Sequence, residues 1–282
     1  MLPARRGGRL AQYAMPEGPE IYRAAHQVHA AVANQAIELT LLHPALAARK
    51  RALKHVTITR VHARSKAMLT EFSNGMVLYS HNQLYGEWRI HPLGQALLHK
   101  QQRLVITTAQ HRVVLYSATD FAWLRAGKEQ QHPYIAKLGP EVLADDVTPA
   151  VLAKRLAGFA RRNLATALMD QSVLAGLGNY LRADILFVAR LSPQLRVGDL
   201  SAAQLINLAK VVHQLTWRSV RHDGVLMPLV DYKKLKAQGH DYEAARFYVF
   251  DREGLPCRLC STPIARTNMG GRGVFFCPAC QA

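Results

Sequence analysis

Cysteine is nearly missing from this chain: 282 residues hold four, and none precedes Cys257. A disulfide framework needs cysteines spread through the fold, so that class is excluded. Long apolar runs are missing too. No stretch of 18 apolar residues occurs, which excludes a membrane-spanning helix. Acids are scarce, with 19 Asp+Glu against 36 Lys+Arg and a formal charge of +17. Residues 1–14 carry three arginines and no acid, so +14 remains without them. Such an excess favours a polyanionic partner, nucleic acid first and an acidic membrane surface second. It names no activity. Hydrophobic residues make up 49%, which rules out a disordered chain and allows two or three domains.

Several elements can be read from pattern. Ile21, Ala24, Ala25, Val28, Ala31 and Val32 form one stripe at helical spacing, predicting a helix over 19–34. Met68–Phe72 and Met76–Ser80 flank Ser73-Asn74-Gly75, a hairpin signal, because Asn-Gly supplies the positive φ of a tight turn. Residues 103–108 and 113–117 form a second strand pair, and a β-sandwich fits the region. From Thr148-Pro149, a cap and a first-turn proline, the pattern turns helical: about 149–157, 163–171, 179–190 and 201–222. Asn179, after Gly176-Leu177-Gly178, is placed to cap the third of these. Residues 224–245 read as a polar linker or loop.

Cys257-x2-Cys260 and Cys277-x2-Cys280 have the spacing of a four-thiolate zinc site. Four thiolates leave no open position for water, so one structural Zn2+ is expected, folding a small hairpin in a reducing compartment. Arg272, in Gly270-Gly271-Arg272-Gly273, falls between the two pairs, where glycines let the backbone approach a partner and the arginine can grip phosphate. Met15-Pro16-Glu17 raises a different question. If translation starts at Met15 and that methionine is removed, Pro16 has a free secondary amine, a potential nucleophile. If the chain starts at Met1, its nitrogen is an amide without an available lone pair. Residues 1–14 make a poor secretory signal. An over-called start is the simpler reading, and a short organellar transit segment the alternative.

With these motifs on the page, the chain resembles the formamidopyrimidine-DNA glycosylase/endonuclease VIII family of DNA repair enzymes from Pro16 to the last cysteine pair. The resemblance rests on Pro16-Glu17-Gly18-Pro19-Glu20, Arg64-Ser65-Lys66-Ala67, and Ser80-His81-Asn82-Gln83-Leu84-Tyr85-Gly86. It rests also on His132-Pro133 through Leu138-Gly139-Pro140, Asp170-Gln171 through Gly178-Asn179-Tyr180, and the zinc module. Gln83-Leu84-Tyr85 and Asn179-Tyr180-Leu181-Arg182 look more like the endonuclease VIII branch, which prefers oxidised pyrimidines. The resemblance implies a bifunctional DNA glycosylase and abasic-site lyase that nicks by β,δ-elimination. Pro16 would attack C1′ of a flipped nucleotide to form a Schiff base. At pH 7 roughly a tenth of an α-amine is unprotonated, against well under a thousandth of a lysine. Glu17 would protonate the deoxyribose ring oxygen or the leaving group, with Glu20 supporting. Lys66 would donate the proton in β-elimination, and Arg272 would serve δ-elimination and clamp phosphate.

Gln83, Leu84 and Tyr85 would wedge into the hole left by the flipped base. By composition alone Leu84 and Tyr85 read as core; their polar flanks and Gly86 argue for a loop. Asn179 and its helix N-terminus would bind phosphate, and Lys137 would add a phosphate contact where relatives carry arginine. Asp184 stands where a glutamate is expected. The fold implied is α+β: an N-terminal helix and β-sandwich (15–142), a helix–two-turn–helix domain (143–224), a linker (225–245) and a zinc-finger hairpin (246–282), after an extension (1–14) absent from the active protein. The implied partner is double-stranded DNA with oxidised bases or abasic sites, bound by a monomer in a bacterial-type cytoplasm or nucleoid, with no membrane. Two other readings stand beside it: an oxidised-purine glycosylase of the same chemistry, and a non-enzymatic damaged-DNA-binding zinc protein should Pro16 not be the N-terminus.

Overall fold

The structure is a computed structural model and describes residues 16–281. The extension 1–14, expected to be absent from the active protein, lies outside the described residues. Helix α1 (Gly18–Val32) begins two residues after Pro16. The Glu20 carboxylate accepts from the Glu17 amide at 3.0 Å, closing the first turn. The stripe read from spacing is the buried face: Ile21, Ala25, Val28, Ala31 and Val32 all enter the sandwich core.

The sandwich has two antiparallel four-stranded sheets. One runs β1 (Glu38–Leu41), β6 (Gln102–Thr107), β7 (His111–Tyr116), β5 (Glu87–Pro92); the other runs β2 (Ile58–Arg64), β3 (Ala67–Phe72), β4 (Met76–His81), β8 (Asp120–Arg125). A short helix, α2 (Pro44–Ala47), follows β1. Ile58, Met68, Leu78, Leu104, Ile106, Val113 and Leu115 fill the space between the sheets. Gly75 takes the positive φ, 77°, that the β3–β4 turn requires.

The helical domain holds α3 (Pro149–Ala157), α4 (Leu164–Ala167), α5 (Asn179–Val188) and α6 (Ala202–Arg221). Thr148 caps α3 as expected, and Ser201 caps α6. The second predicted stretch shrinks to the single turn of α4. Past it, the Asp170 side chain accepts from the Ser172 amide at 2.8 Å and ends the helix with a local turn. The linker reading of 224–245 needs correction, because it contains α7 (Leu229–Ala237) and α8 (Tyr242–Arg246). Asp241 caps α8 through the Ala244 amide at 2.7 Å. Helix α7 buries no residue, so it carries no apolar stripe to betray it. The last hairpin pairs β9 (Ala265–Met269) with β10 (Arg272–Phe276).

Helix α5 organises the centre. Every residue from Tyr180 to Phe187 is buried. One side packs into the helical core through Leu181, Ile185 and Leu186, while Ala183 and Phe187 pack on Ile264, Phe275 and Cys277 of the zinc module. No described helix is long and apolar enough to cross a membrane.

Candidate active site

A cleft of about 680 Å³ opens between the sandwich, the start of α5 and the last hairpin. Its walls include Pro16, Glu17, Lys66, Gln83, Leu84, Asn179 and Arg272, so seven of the residues singled out from sequence converge here.

Glu17 is the best-defined member. Its side chain reaches the N-terminus of α5, where Oε1 accepts from the Tyr180 amide at 2.9 Å and Oε2 from the Leu181 amide at 3.4 Å. The close approach dictates local sequence: a Cβ at Gly178 would overlap the Glu17 carboxyl group, and one at Gly18 would lie 2.8 Å from the Gly176 carbonyl. Burial pushes the Glu17 carboxyl up to about 8, against the opposing pull of the Lys66 charge and the two amides. Burial also pushes the Lys66 ammonium below its ordinary value, with nearby Arg272 adding to the effect. Glu20 is a brace. Besides the Glu17 amide it accepts from the Tyr180 hydroxyl at 2.9 Å and Arg23 at 3.2 Å, joining α1 to α5.

Lys66 sits on the β2–β3 turn, whose preceding residue Ser65 has φ 58°. That uncommon backbone is pinned from three directions. Glu141 accepts from the Ser65 amide at 2.7 Å, Gln171 accepts from the Ser65 hydroxyl at 3.2 Å, and the Tyr134 hydroxyl accepts from the Lys66 amide at 3.3 Å. Gln171 also accepts from the Gly176 amide and donates to the Met169 and Leu177 carbonyls. Gln83, Leu84 and Tyr85 lie on the β4–β5 loop. Leu84 is 53% and Tyr85 75% exposed, so the loop reading holds over the core reading. Gln83 and Leu84 face the cleft, Tyr85 does not line it, and Gln83 donates to Asp120 at 3.1 Å.

Two expectations change. Asn179 does not cap α5; Gly178 occupies that position. Asn179 instead donates to the Gly273 carbonyl at 3.2 Å and accepts from Arg182, which itself donates to Gly273 at 3.1 Å. The second and third amides of α5, those of Tyr180 and Leu181, are taken by the Glu17 carboxyl. Lys137 is exposed at the end of a 3₁₀ turn and is not among the residues lining the cleft.

Other residues were not assigned from sequence. His81 and Tyr134 line the cleft with their rings 5.3 Å apart. His81 Nδ1 accepts from the Gln83 amide, and burial lowers the ring's pKa. This leaves a neutral ring whose other nitrogen carries the proton. Asp184, in doubt as a shortened glutamate, is fully buried and accepts from the Tyr248, Val249 and Phe250 amides at 2.8, 3.0 and 3.2 Å.

The four cysteines fit a zinc ion. Their sulfurs all lie within 4.8 Å of one another, with separations of 4.0, 3.5 and 3.4 Å for three pairs. A tetrahedron with Zn–S bonds of about 2.3 Å has edges of about 3.8 Å. Disulfide sulfurs would sit about 2 Å apart. Cys257 and Cys260 precede β9 and Cys277 and Cys280 follow β10, so the site ties off the hairpin that carries Arg272.

Comparison with known proteins agrees with this geometry. Residues 15–121 match the formamidopyrimidine-DNA glycosylase N-terminal domain, 138–228 its H2TH domain, and 254–282 the zinc finger found in FPG and IleRS. Endonuclease 8 of Escherichia coli strain UMN026 is 40% identical over 271 residues, covering 95% of this chain and 100% of the relative. Endonuclease 8 of Shigella sonnei has the same identity and coverage. Among solved structures, Lactococcus lactis Fpg with abasic-site DNA superposes with a TM-score of 0.77 at 20% identity, covering 94% of this chain and 99% of that one. Family models match all three parts of the fold, and full-length relatives share two residues in five: the chain belongs to the formamidopyrimidine-DNA glycosylase family.

Proposed function

We propose that this DNA glycosylase removes oxidised pyrimidines from double-stranded DNA as a monomer, then cuts the strand by β,δ-elimination from a Schiff base on the Pro16 nitrogen. One observation carries the reading. The Glu17 carboxyl is buried on two helix amides, keeps its proton to about pH 8, and adjoins Pro16 in a cleft shared with Lys66 and Arg272. A carboxylic acid kept neutral at pH 7 can give up a proton where it is needed.

The chemistry follows from these positions. The Pro16 nitrogen, free as a secondary amine, attacks C1′; the bond to the damaged base breaks, and the departing base takes the proton that the nitrogen sheds. The Glu17 proton passes to the deoxyribose ring oxygen, the ring opens, and an iminium joins nitrogen to C1′. A secondary amine makes that iminium permanently cationic, so it draws the electrons of the C2′–H bond; the Glu17 carboxylate, having given up its own proton, takes the C2′ proton, and the C3′ phosphate leaves with the C3′–O electrons. Lys66, already short of proton affinity, gives its proton to that leaving group. Arg272, exposed on the hairpin, binds the phosphates and serves the second elimination at C5′. Leu84 and Gln83 fill the space vacated by the flipped nucleotide.

The zinc ion on four thiolates contributes structure, holding Arg272 over the cleft. Free thiolates require a reducing compartment, such as the bacterial cytoplasm. Preference for pyrimidines is supported by Gln83-Leu84-Tyr85, and the Endonuclease 8 relatives are twice as identical to this chain as the Fpg structures. Excision from thymine-glycol and 8-oxoguanine duplexes tests it. Faster release of thymine glycol with phosphate at both ends of the gap is expected. Preferential release of 8-oxoguanine would assign the oxidised-purine branch, and no release from either would leave a binding protein.

A further inference from the structure

A second cavity, about 590 Å³, lies at the other end of the sheet. Strands β4 and β8 run from His81 and Asp120, beside the wedge loop, to Met76 and Arg125 at the cavity. Five residues of strand separate the two, about 17 Å. The floor is mainly apolar, with half-buried Met76, Trp123 and Leu124 beside the half-buried His132 ring, and the exposed side chains around it include Arg49, Arg125 and Lys128. No carboxylate lines the cavity, and among the described residues none of the three cations has a carboxylate partner within 4 Å. Hydrogen bonds within the fold hold the walls in place. Asn74 on the hairpin tip donates to the Ala52 carbonyl at 2.6 Å, and the Ala126 amide donates to the Gly75 carbonyl at 2.9 Å.

The cavity also opens beside the edge of a sheet. β8 is the terminal strand of its sheet, and no described strand pairs with its outer side. An open edge takes up an extended segment by backbone hydrogen bonds, with side chains selected by adjoining pockets. We propose that this cavity docks an extended acidic protein segment bearing an apolar anchor: the anchor on Met76, Leu124 and the cavity-side edge of Trp123, the carboxylates on Arg49, Arg125 and Lys128. Single-stranded nucleic acid fits the cations but not the floor. It would need a free aromatic face to stack on, and the Trp123 ring turns into the sandwich against Phe72, 5.8 Å centre to centre.

The test uses the full chain and a fluorescein-labelled peptide alternating Glu with Leu and Val. Anisotropy is expected to show salt-sensitive binding that the triple reversal R49E/R125E/K128E weakens roughly tenfold or more. Ala52→Trp, which fills the cavity without altering charge, is expected to weaken it too. Reversing Lys233, Lys234 and Lys236 on α7 removes as much charge and is expected to leave peptide binding unchanged. Binding of abasic-site duplex in the cleft is expected to survive all three variants. Equal loss of peptide binding in the α7 variant would reduce the effect to net charge and overturn the proposal, as would no peptide binding at all. Loss of duplex or single-strand binding in the cavity variants would assign the cavity to the DNA footprint instead.

Discussion

The proposed chemistry comes down to how Glu17 holds its proton. Its carboxyl ionises near 4.5 ordinarily and near 8 in the fold. Folding therefore takes up a proton between these values, and the stability present below pH 4.5 is lost as pH rises through about 8. Glu17→Gln keeps the shape and cannot ionise. Its Tm is expected to match the parent's near pH 5 and exceed it by several degrees at pH 9. Base excision is expected to fall roughly 100-fold or more, the usual worth of a general acid. A Tm difference independent of pH would contradict the protonated carboxyl. At this scale the sequence was readable where a rare residue type recurs at a fixed spacing, as in Cys257-x2-Cys260 and Cys277-x2-Cys280. It was silent where a side chain serves backbone far along the chain. Gln171 and Asp184 bind carbonyls and amides, and no spacing rule announces such partners. Asn179 was misread because its sequence neighbourhood suits a cap, whereas the Gly178 backbone takes that role to leave room for Glu17.

Among the elements, α5 carries the site. Its Tyr180 and Leu181 amides hold Glu17, Asn179 and Arg182 grip the Gly273 carbonyl beside Arg272, and Asp184 anchors the turn at 248–250 that leads to the zinc module. Arg182 is 1% exposed, and burial lowers its pKa to about 10. Such a buried cation is tolerated because it bridges two elements. Asp184→Ala strands three amides, two of them half-buried, and is expected to cost roughly 2–4 kcal/mol in urea unfolding. Asp184→Asn, which keeps one acceptor, is expected to cost less. Faster hydrogen exchange at Tyr248, Val249 and Phe250 would locate the damage, and unchanged exchange there would deny the anchor. α1 was legible from its one apolar face and the β3–β4 hairpin from its Asn74-Gly75 turn, both faces of that hairpin being buried. α7 was not, because a helix that buries nothing leaves no period in its sequence.

Over the whole molecule, the excess of 36 cations over 19 acids matches a protein whose cleft must hold a polyanion. Binding to undamaged duplex is expected to fall with salt at a log–log slope of roughly −0.9 per phosphate contacted. A flat response would mean the charge is not a DNA footprint. The three-part order of sandwich, helices and zinc hairpin was legible because each part has its own period or spacing. Their mutual placement was not, since it depends on contacts such as Glu17 with Tyr180, 163 positions apart.

The central claim is that the Pro16 nitrogen is the nucleophile. It is tested most directly by borohydride reduction of the protein on an abasic-site oligonucleotide, followed by mass spectrometry of the cross-linked peptide. Protein beginning at Pro16 is expected to give an adduct on that residue, and protein with one residue added before it to give none. An adduct on a lysine alone, or undiminished trapping with Pro16 blocked, would contradict the account.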